Sequence, residues 1–335
     1  MIVLLSMQLL ISATQSTTLR SAAIATDTAM SKKSLVTLRT TMQPPNDPED
    51  WALTTGEIPT PAPAALKSLS ETVVKQISEQ SLFTSWITSQ LQYFPLGPGT
   101  HSWLVTVSKD QEELGYLIFT AKDSDPQIYI LSEYGSSPSV PYHLTSLRQT
   151  LARSDNNSLS SELVRPTSIE PLYAPLLPLW KVSFADQETL YLNAQTMDIL
   201  PWDESHLRNL NLQSSELSAA YFSVKEPSYT SITAVSRQGE RNPLANLMWI
   251  TTPRLSLLTE DDIINYLNIG NNLIFTYPQH NDDLGGPFAI SGFHKWSSPK
   301  GILEQTIYVG TGLSGQRYLP LSYLHSKGEF RAFPK

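Results

Sequence analysis

Apolar and polar positions change period several times along the chain. Between Ala64 and Gln92, Leu66, Leu69, Val73, Val74 and Ile77 recur at steps of three and four. That spacing predicts an amphipathic helix, and Phe83, Trp86, Ile87 and Leu91 continue it past a break near Ser81. Pro95 and the turn-rich PLGPGT end the run. The period then falls to that of strands at SWLVTVS (102–108), ELGYLIFTA (113–121) and QIYILSEYG (127–135), divided by polar turns. SLRQTLAR (146–153) reads as a short helix, and RSDNNSLSSE as a polar loop.

Residues 177–202 then alternate as a small piece of sheet. Trp180, Val182 and Phe184 share one face, and Asp186 to Thr189 break the run. Leu190, Leu192 and Ala194 then oppose Tyr191 and Asn193. The pattern weakens after Trp202 and returns near Arg241. NPLANLMWI (242–250) predicts a helix with proline near its first turn. TEDDIINYLNIGN (259–271) predicts a second helix, with Thr259 and Asp262 spaced as a capping box and Gly270 near its end. Strands are expected at 272–277, 287–296, 305–310 and 317–324.

Both halves place helices before antiparallel strands. The prediction is therefore an α+β fold of two domains, each with N-terminal helices followed by a small antiparallel sheet. The expected boundaries are a signal peptide at 1–13, a Pro/Ser/Thr-rich and largely disordered linker at 14–63, α+β domains at 64–202 and 241–335, and a connection at 203–240. The linker rests on six prolines between Pro44 and Pro63, which lack amide donors and favour extended chain.

Composition adds an address. Of 335 residues only 16% are charged, against about 25% in globular proteins. Ser, Thr, Asn, Gln and Pro fill the difference, as suits an extracellular protein. The start is apolar from Ile2 to Ala13 apart from Ser6, Gln8 and Ser12. That is short of the roughly 20 residues of a membrane span. It fits a signal peptide ending at Ile11-Ser12-Ala13, although no Lys or Arg precedes it. No later stretch approaches membrane length, so no integral membrane segment is expected in the mature form. With a net charge of −8, a nucleic-acid duplex or an anionic membrane would repel the chain, and no nucleic-acid partner is expected.

The chain has no cysteine, which removes disulfides, thiolate metal sites and any cysteine nucleophile. A secreted or cell-surface bacterial (Firmicutes-like) protein fits best. Other chemistry is sparse. GTGLSG (310–315) matches a dinucleotide fingerprint but has no βαβ unit around it, so it reads as a glycine-rich hairpin. Ser297 to Lys300 matches S-x-x-K, yet Pro299 opposes the helix that spacing needs. His280, Asp282 and Asp283 gather nitrogen and oxygen donors in HNDD, without the alternation of a calcium loop, and read as a solvated loop. No histidine pair has metalloprotease spacing. No catalytic residue, metal or cofactor is assigned. The candidate binding residues are Trp202, His280, Asp282, Asp283, His294 and Trp296. Trp180 and Trp249 are expected in the core, with Trp202 and Trp296 as the exposed pair.

Two resemblances add to this. WKVSFAD followed by LYLNAQTMDIL resembles the strand pair of PepSY-type domains: Asn193-Ala194-Gln195-Thr196 matches, and Met197 stands where glycine is usual. The match covers about 25 residues within 177–202. It implies a binding or inhibitory module of the peptidase-propeptide kind. The order of PLANLMWI, TEDDIINYLNIGNN, LIFTY and PFAISGFHKW resembles a papain-like peptidase of the bacterial peptide-processing type. There the first helix opens on a nucleophilic cysteine, absent here, and the histidine position falls near 286–288, with His294 too late. That resemblance implies a degenerate pseudoenzyme.

The sequence therefore points to a secreted non-enzymatic binding or inhibitor-like protein acting on a peptide, cell-wall or protein partner. One alternative is a secreted hydrolase with a non-cysteine site around His280, Asp282, Asp283 and His294. Another is a structural cell-surface protein.

Overall fold

A computed structural model of the chain describes residues 59–97, 102–122, 125–158, 166–174, 177–185, 188–207, 231–236, 242–257, 259–277, 286–297, 305–311 and 317–333. Helix α1 (Ala64–Ile77) forms where the three-and-four spacing predicts it and buries Leu66, Leu69, Val73, Val74 and Ile77. The pattern continues not as α-helix but as a 3-10 segment, Ser81–Thr88, that buries Phe83 and Trp86. Gln90 onward is strand β1 (Gln90–Leu96), which pairs antiparallel with β2 (Ser102–Lys109). Pro95 is tolerated there because β1 is an edge strand. β3 (Glu112–Lys122) and β4 (Asp125–Ser136) complete the meander.

Helix α2 (Leu144–Ser158) leads to a separate four-stranded sheet: β5 (Ser168–Ala174), β6 (Leu177–Ser183), β7 (Thr189–Asn193) and the short β8 (Ile199–Leu200). Its alternation follows the sequence pattern. Trp180, Val182 and Leu192 pack with Leu147 and Leu151 of α2. Asn193 turns the chain, its Oδ1 accepting from the amides of Gln195 (2.8 Å) and Thr196 (3.1 Å). Met197 follows with φ 64°, the left-handed region that favours glycine.

β9 (Ser231–Ser236) precedes a 3-10 turn at Leu247–Thr251, in place of the predicted helix over 242–250. Pro243 and two asparagines whose side chains take up local amides close tight turns instead. Helix α3 (Glu260–Asn268) has the predicted capping box: Thr259 Oγ1 accepts from Asp262 N, and Asp262 accepts from Thr259 N. β10 (Leu273–Thr276), β11 (Phe288–Ser297), β12 (Gln305–Thr311) and β13 (Arg317–Pro320) follow. The single strand expected at 317–324 stops at Pro320, where helix α4 (Leu321–Lys327) begins, and β14 (Glu329–Ala332) ends the order.

Helices with antiparallel sheets bear out the α+β class. The arrangement differs from two separate domains. β4, from the first predicted domain, pairs with β13, from the second, through Arg317 opposite Gly135 and Tyr318 opposite Tyr134. One ten-stranded sheet thus runs in the order β1-β2-β3-β4-β13-β12-β11-β10-β14, with β9 also paired to β11, and Trp51–Lys335 form one compact unit. Hydrophobic periodicity gives faces, not partners across the sheet, so the join between β4 and β13 carries no signature in the sequence. The small sheet is tied in as well. Gly97 N donates to Pro171 O at 2.6 Å, and a Cβ at Gly97 would collide with the Leu172 side chain.

Both ends of the large sheet are covered by chain that is not strand. Thr60 N donates to Tyr93 O of β1 (2.8 Å), with prolines at 59, 61 and 63 around it, so the end of the predicted linker is docked. At the other end Leu255 N donates to Phe330 O of β14 (2.9 Å). Such covering blunts edges that would otherwise template pairing with another chain.

Candidate functional site

The six candidate residues do not form one site. His280, Asp282 and Asp283 lie outside the described residues. Trp202 is half-buried at the end of the small sheet, stacked on His206 with centroids 6.0 Å apart and planes 12° apart. Beside it Lys181 Nζ meets Glu204 Oε1 at 3.0 Å. Trp296, expected at the surface beside its polar turn, is instead fully buried, and His294 is only 3% exposed. The strand alternation explains both. His294 and Trp296 share the face of β11 that meets α1 and the 3-10 segment, while Phe293 points to the opposite core.

His294 sits in a closed aromatic cluster. Its ring stacks on Tyr318 at 4.0 Å between centroids, and Tyr318 stacks on Tyr134 at 4.8 Å. Tyr134 Oη lies 2.6 Å from His294 Nδ1 and accepts from Trp296 Nε1 at 3.2 Å. An indole can only donate. The arrangement that uses each proton therefore runs from Trp296 N–H to Tyr134 oxygen, and from Tyr134 O–H to an unprotonated Nδ1. Burial disfavours the imidazolium and lowers the His294 pKa to about 4. The same burial raises the pKa of the Tyr318 phenol. His294 is thus a neutral core histidine at ordinary pH.

A second cluster, not foreseen from the sequence, lies on the other face of the same strands. Glu133 of β4 is fully buried, and Arg317 of β13 nearly so. Arg317 Nη2 donates to Glu133 Oε2 at 2.8 Å and Nε to Oε1 at 3.1 Å, a bidentate fork. Tyr116 Oη donates to Oε1 at 2.9 Å, and Tyr173 Oη to Oε2 at 3.1 Å. The carboxylate therefore accepts four bonds. Desolvation and the neighbouring Glu133 charge hold both phenols well above their usual range. Three parts of the chain meet here: the meander, the small sheet through Tyr173, and the C-terminal strands.

A β-bulge makes this possible. The β3–β4 register steps from Ile118 opposite Glu133 to Phe119 opposite Leu131, which leaves Ser132 extra. Ser132 Oγ bonds Thr120 Oγ1 at 2.7 Å, and Thr120 bonds Ser102 Oγ at 2.9 Å. The visible signals were a carboxylate inside the apolar run IYILSEYG and a lone arginine opening a strand. Their pairing spans 184 positions, and no periodicity connects them.

Chemically, both clusters are interior joints whose donors and acceptors answer each other. Among the described residues no group of three or more His, Asp or Glu side chains is placed to hold a metal ion. Compared with known protein families, curated proteins and solved structures, the chain matches none.

Proposed function

We propose that this chain is a secreted bacterial protein that binds a peptide, cell-wall or protein partner and does not turn it over. The observation that carries this reading is the closure of His294. Of the two imidazoles that the hydrolase alternative names, His294 lies 3% exposed, bonded to Tyr134 and stacked on Tyr318. It cannot reach a substrate in solution without opening the core. The apolar start supports export, and no helix among the described residues is long and apolar enough to cross a membrane. The left-handed backbone at Met197, where PepSY-type domains carry glycine, supports the propeptide-like reading of 177–202. The stacked Trp202–His206 pair beside Lys181 and Glu204 offers an aromatic and charged surface for partner contact.

The test is incubation of the purified protein with peptide, ester and cell-wall substrates. No turnover is expected. Turnover abolished by His280→Ala or by Asp282→Ala with Asp283→Ala would overturn the reading. Retention on immobilised cell-wall material or peptide should fall several-fold in Trp202→Ala, in line with the loss of an aromatic contact.

A further inference from the structure

The described surface carries one dense apolar feature. In the turn before α3, Leu244 is 65% exposed, Leu247 54%, Met248 69% and Ile250 54%. Four large apolar side chains exposed within seven residues are unusual for a soluble protein and mark a docking surface. The geometry is convex. With three residues per 3-10 turn, Leu247 and Ile250 share one face, Met248 takes the next and Trp249 the third. Only Trp249 points inward, 7% exposed, with its Nε1 donating to Pro243 O at 2.8 Å. Apolar surface thus wraps most of the turn rather than forming the single stripe that fits a groove in a protein.

Several backbone groups of this turn are already answered by protein side chains. Leu244 N donates to Asn242 Oδ1 at 2.8 Å and Met248 N to Asn246 Oδ1 at 3.1 Å. The Met248 carbonyl accepts from Thr251 Oγ1 at 2.8 Å, and the Trp249 carbonyl from Thr252 Oγ1 at 2.7 Å. Arg331 Nη1 donates to the carbonyls of Ile250 (3.2 Å) and Thr252 (2.6 Å). A segment that brings its own partners can enter a medium that offers no hydrogen bonds.

Charge points the same way. Between Arg237 and Arg254 the sequence has three arginines and one acid, Glu240, against 23 basic and 31 acidic residues in the whole chain. At the base of the turn Arg254 and Arg331 share one carboxylate, Glu329, at 3.1 and 3.8 Å, which leaves a net positive charge beneath the apolar tip.

We propose that the 244–250 turn docks on a phospholipid surface, with Leu244, Leu247, Met248 and Ile250 among the upper acyl chains and Arg254 at the headgroup phosphates. Apolar insertion beneath a cationic rim is the physics of interfacial membrane contact. The net charge of −8 opposes long-range approach to an anionic membrane. Arg254 and Arg331, around the single carboxylate of Glu329, offset that opposition where contact is made. The inference is independent of the proposed function, since an enzyme could use the same tether.

The absence of cysteine from the chain provides a direct test. Met248→Cys carries a single environment-sensitive fluorophore, and Ile87→Cys carries it on a distant exposed position. The full-length proteins are mixed with vesicles of equal parts phosphatidylcholine and phosphatidylglycerol. The expected result is a blue shift at position 248, quenched by lipid-borne quenchers, with none at 87. Leu247→Ser with Met248→Ser should lower vesicle co-sedimentation about tenfold while the thermal melt stays unchanged. The apolar stretch Ile2–Ala13 is common to every variant, so only differences between variants count. No shift at 248, or equal sedimentation of the double variant, would overturn the proposal. So would a shift that needs no vesicles and grows with protein concentration, which would mean a second copy covers the turn.

Discussion

Glu133 and Tyr134 are neighbours on β4, as are Arg317 and Tyr318 on β13, yet the two pairs build opposite kinds of interior. On one face a charge is buried and answered by an opposite charge and two phenols. On the other, a titratable ring is kept neutral by burial and joined to a phenol and an indole. Both clusters close the same seam between β4 and β13. The ionic joint is directional and fails as a unit, because either charge left alone is expensive in an apolar interior. The aromatic joint spreads its stabilisation over stacking area and two hydrogen bonds, and its weakness is the proton.

The largest expected effect tests the ionic side. Glu133→Ala strands the Arg317 guanidinium in the core and should cost about 3–5 kcal/mol of stability, measured as the shift in urea midpoint at constant slope. Replacing both partners by methionine should recover only part of that loss: no charge is left unpaired, but the Tyr116 and Tyr173 hydroxyls lose their acceptor. A loss below about 1 kcal/mol in the single variant, the scale of a surface pair, would erase the contrast between the faces.

Acid tests the aromatic side. Unfolded, the His294 imidazole binds its proton at the ordinary 6.5; folded, only at about 4. Between those values the unfolded chain holds more protons, so the contribution is complete above pH 6.5 and declines as pH falls through 4. The full decline is about 3 kcal/mol. Thermal melts across pH 4–7 should show this slope in the wild type and a flatter one in His294→Asn. Equal slopes would mean that the ring is not held neutral. Tyr134→Phe is milder. It removes the oxygen that serves both Trp296 and His294, and should cost about 2 kcal/mol while leaving the stacks in place.

The same contrast explains what could be read from the sequence. Faces and caps were legible, because periodicity and local spacing encode them: the buried stripe of α1, the Thr259–Asp262 box, the alternation of 177–200. Pairing across the seam was not. His294 is a candidate binding residue on the sequence alone, yet it is closed off by Tyr134, 160 positions away. Trp296 was misplaced for the same reason. Leu91 continued a helical pattern and still fell within the strand Gln90–Leu96, since β2 offered a full ladder of partners. The 242–250 segment kept its apolar residues but not its helix, because Pro243, Asn242 and Asn246 close turns that a helix would have to open.

The smallest effect serves as the control that separates local fit from the seam. Asp110 and Gln111 form the two-residue connection between β2 and β3, with φ of 52° and 68°. Both angles are positive, as a type I′ hairpin turn requires, and neither residue is glycine. Gln111→Gly removes the Cβ from the left-handed position and should stabilise the protein by about 0.5–1 kcal/mol, the steric relief exceeding the added freedom of the unfolded chain. Both turn residues are exposed and far along the strands from Glu133 and His294, so the gain should appear equally at pH 7 and pH 4.5 and add to the loss in Glu133→Ala. A gain that vanished in acid or in the Glu133→Ala background would mean that the β2–β3 hairpin and the seam unfold as coupled parts, and that the two faces of β4 are not independent supports.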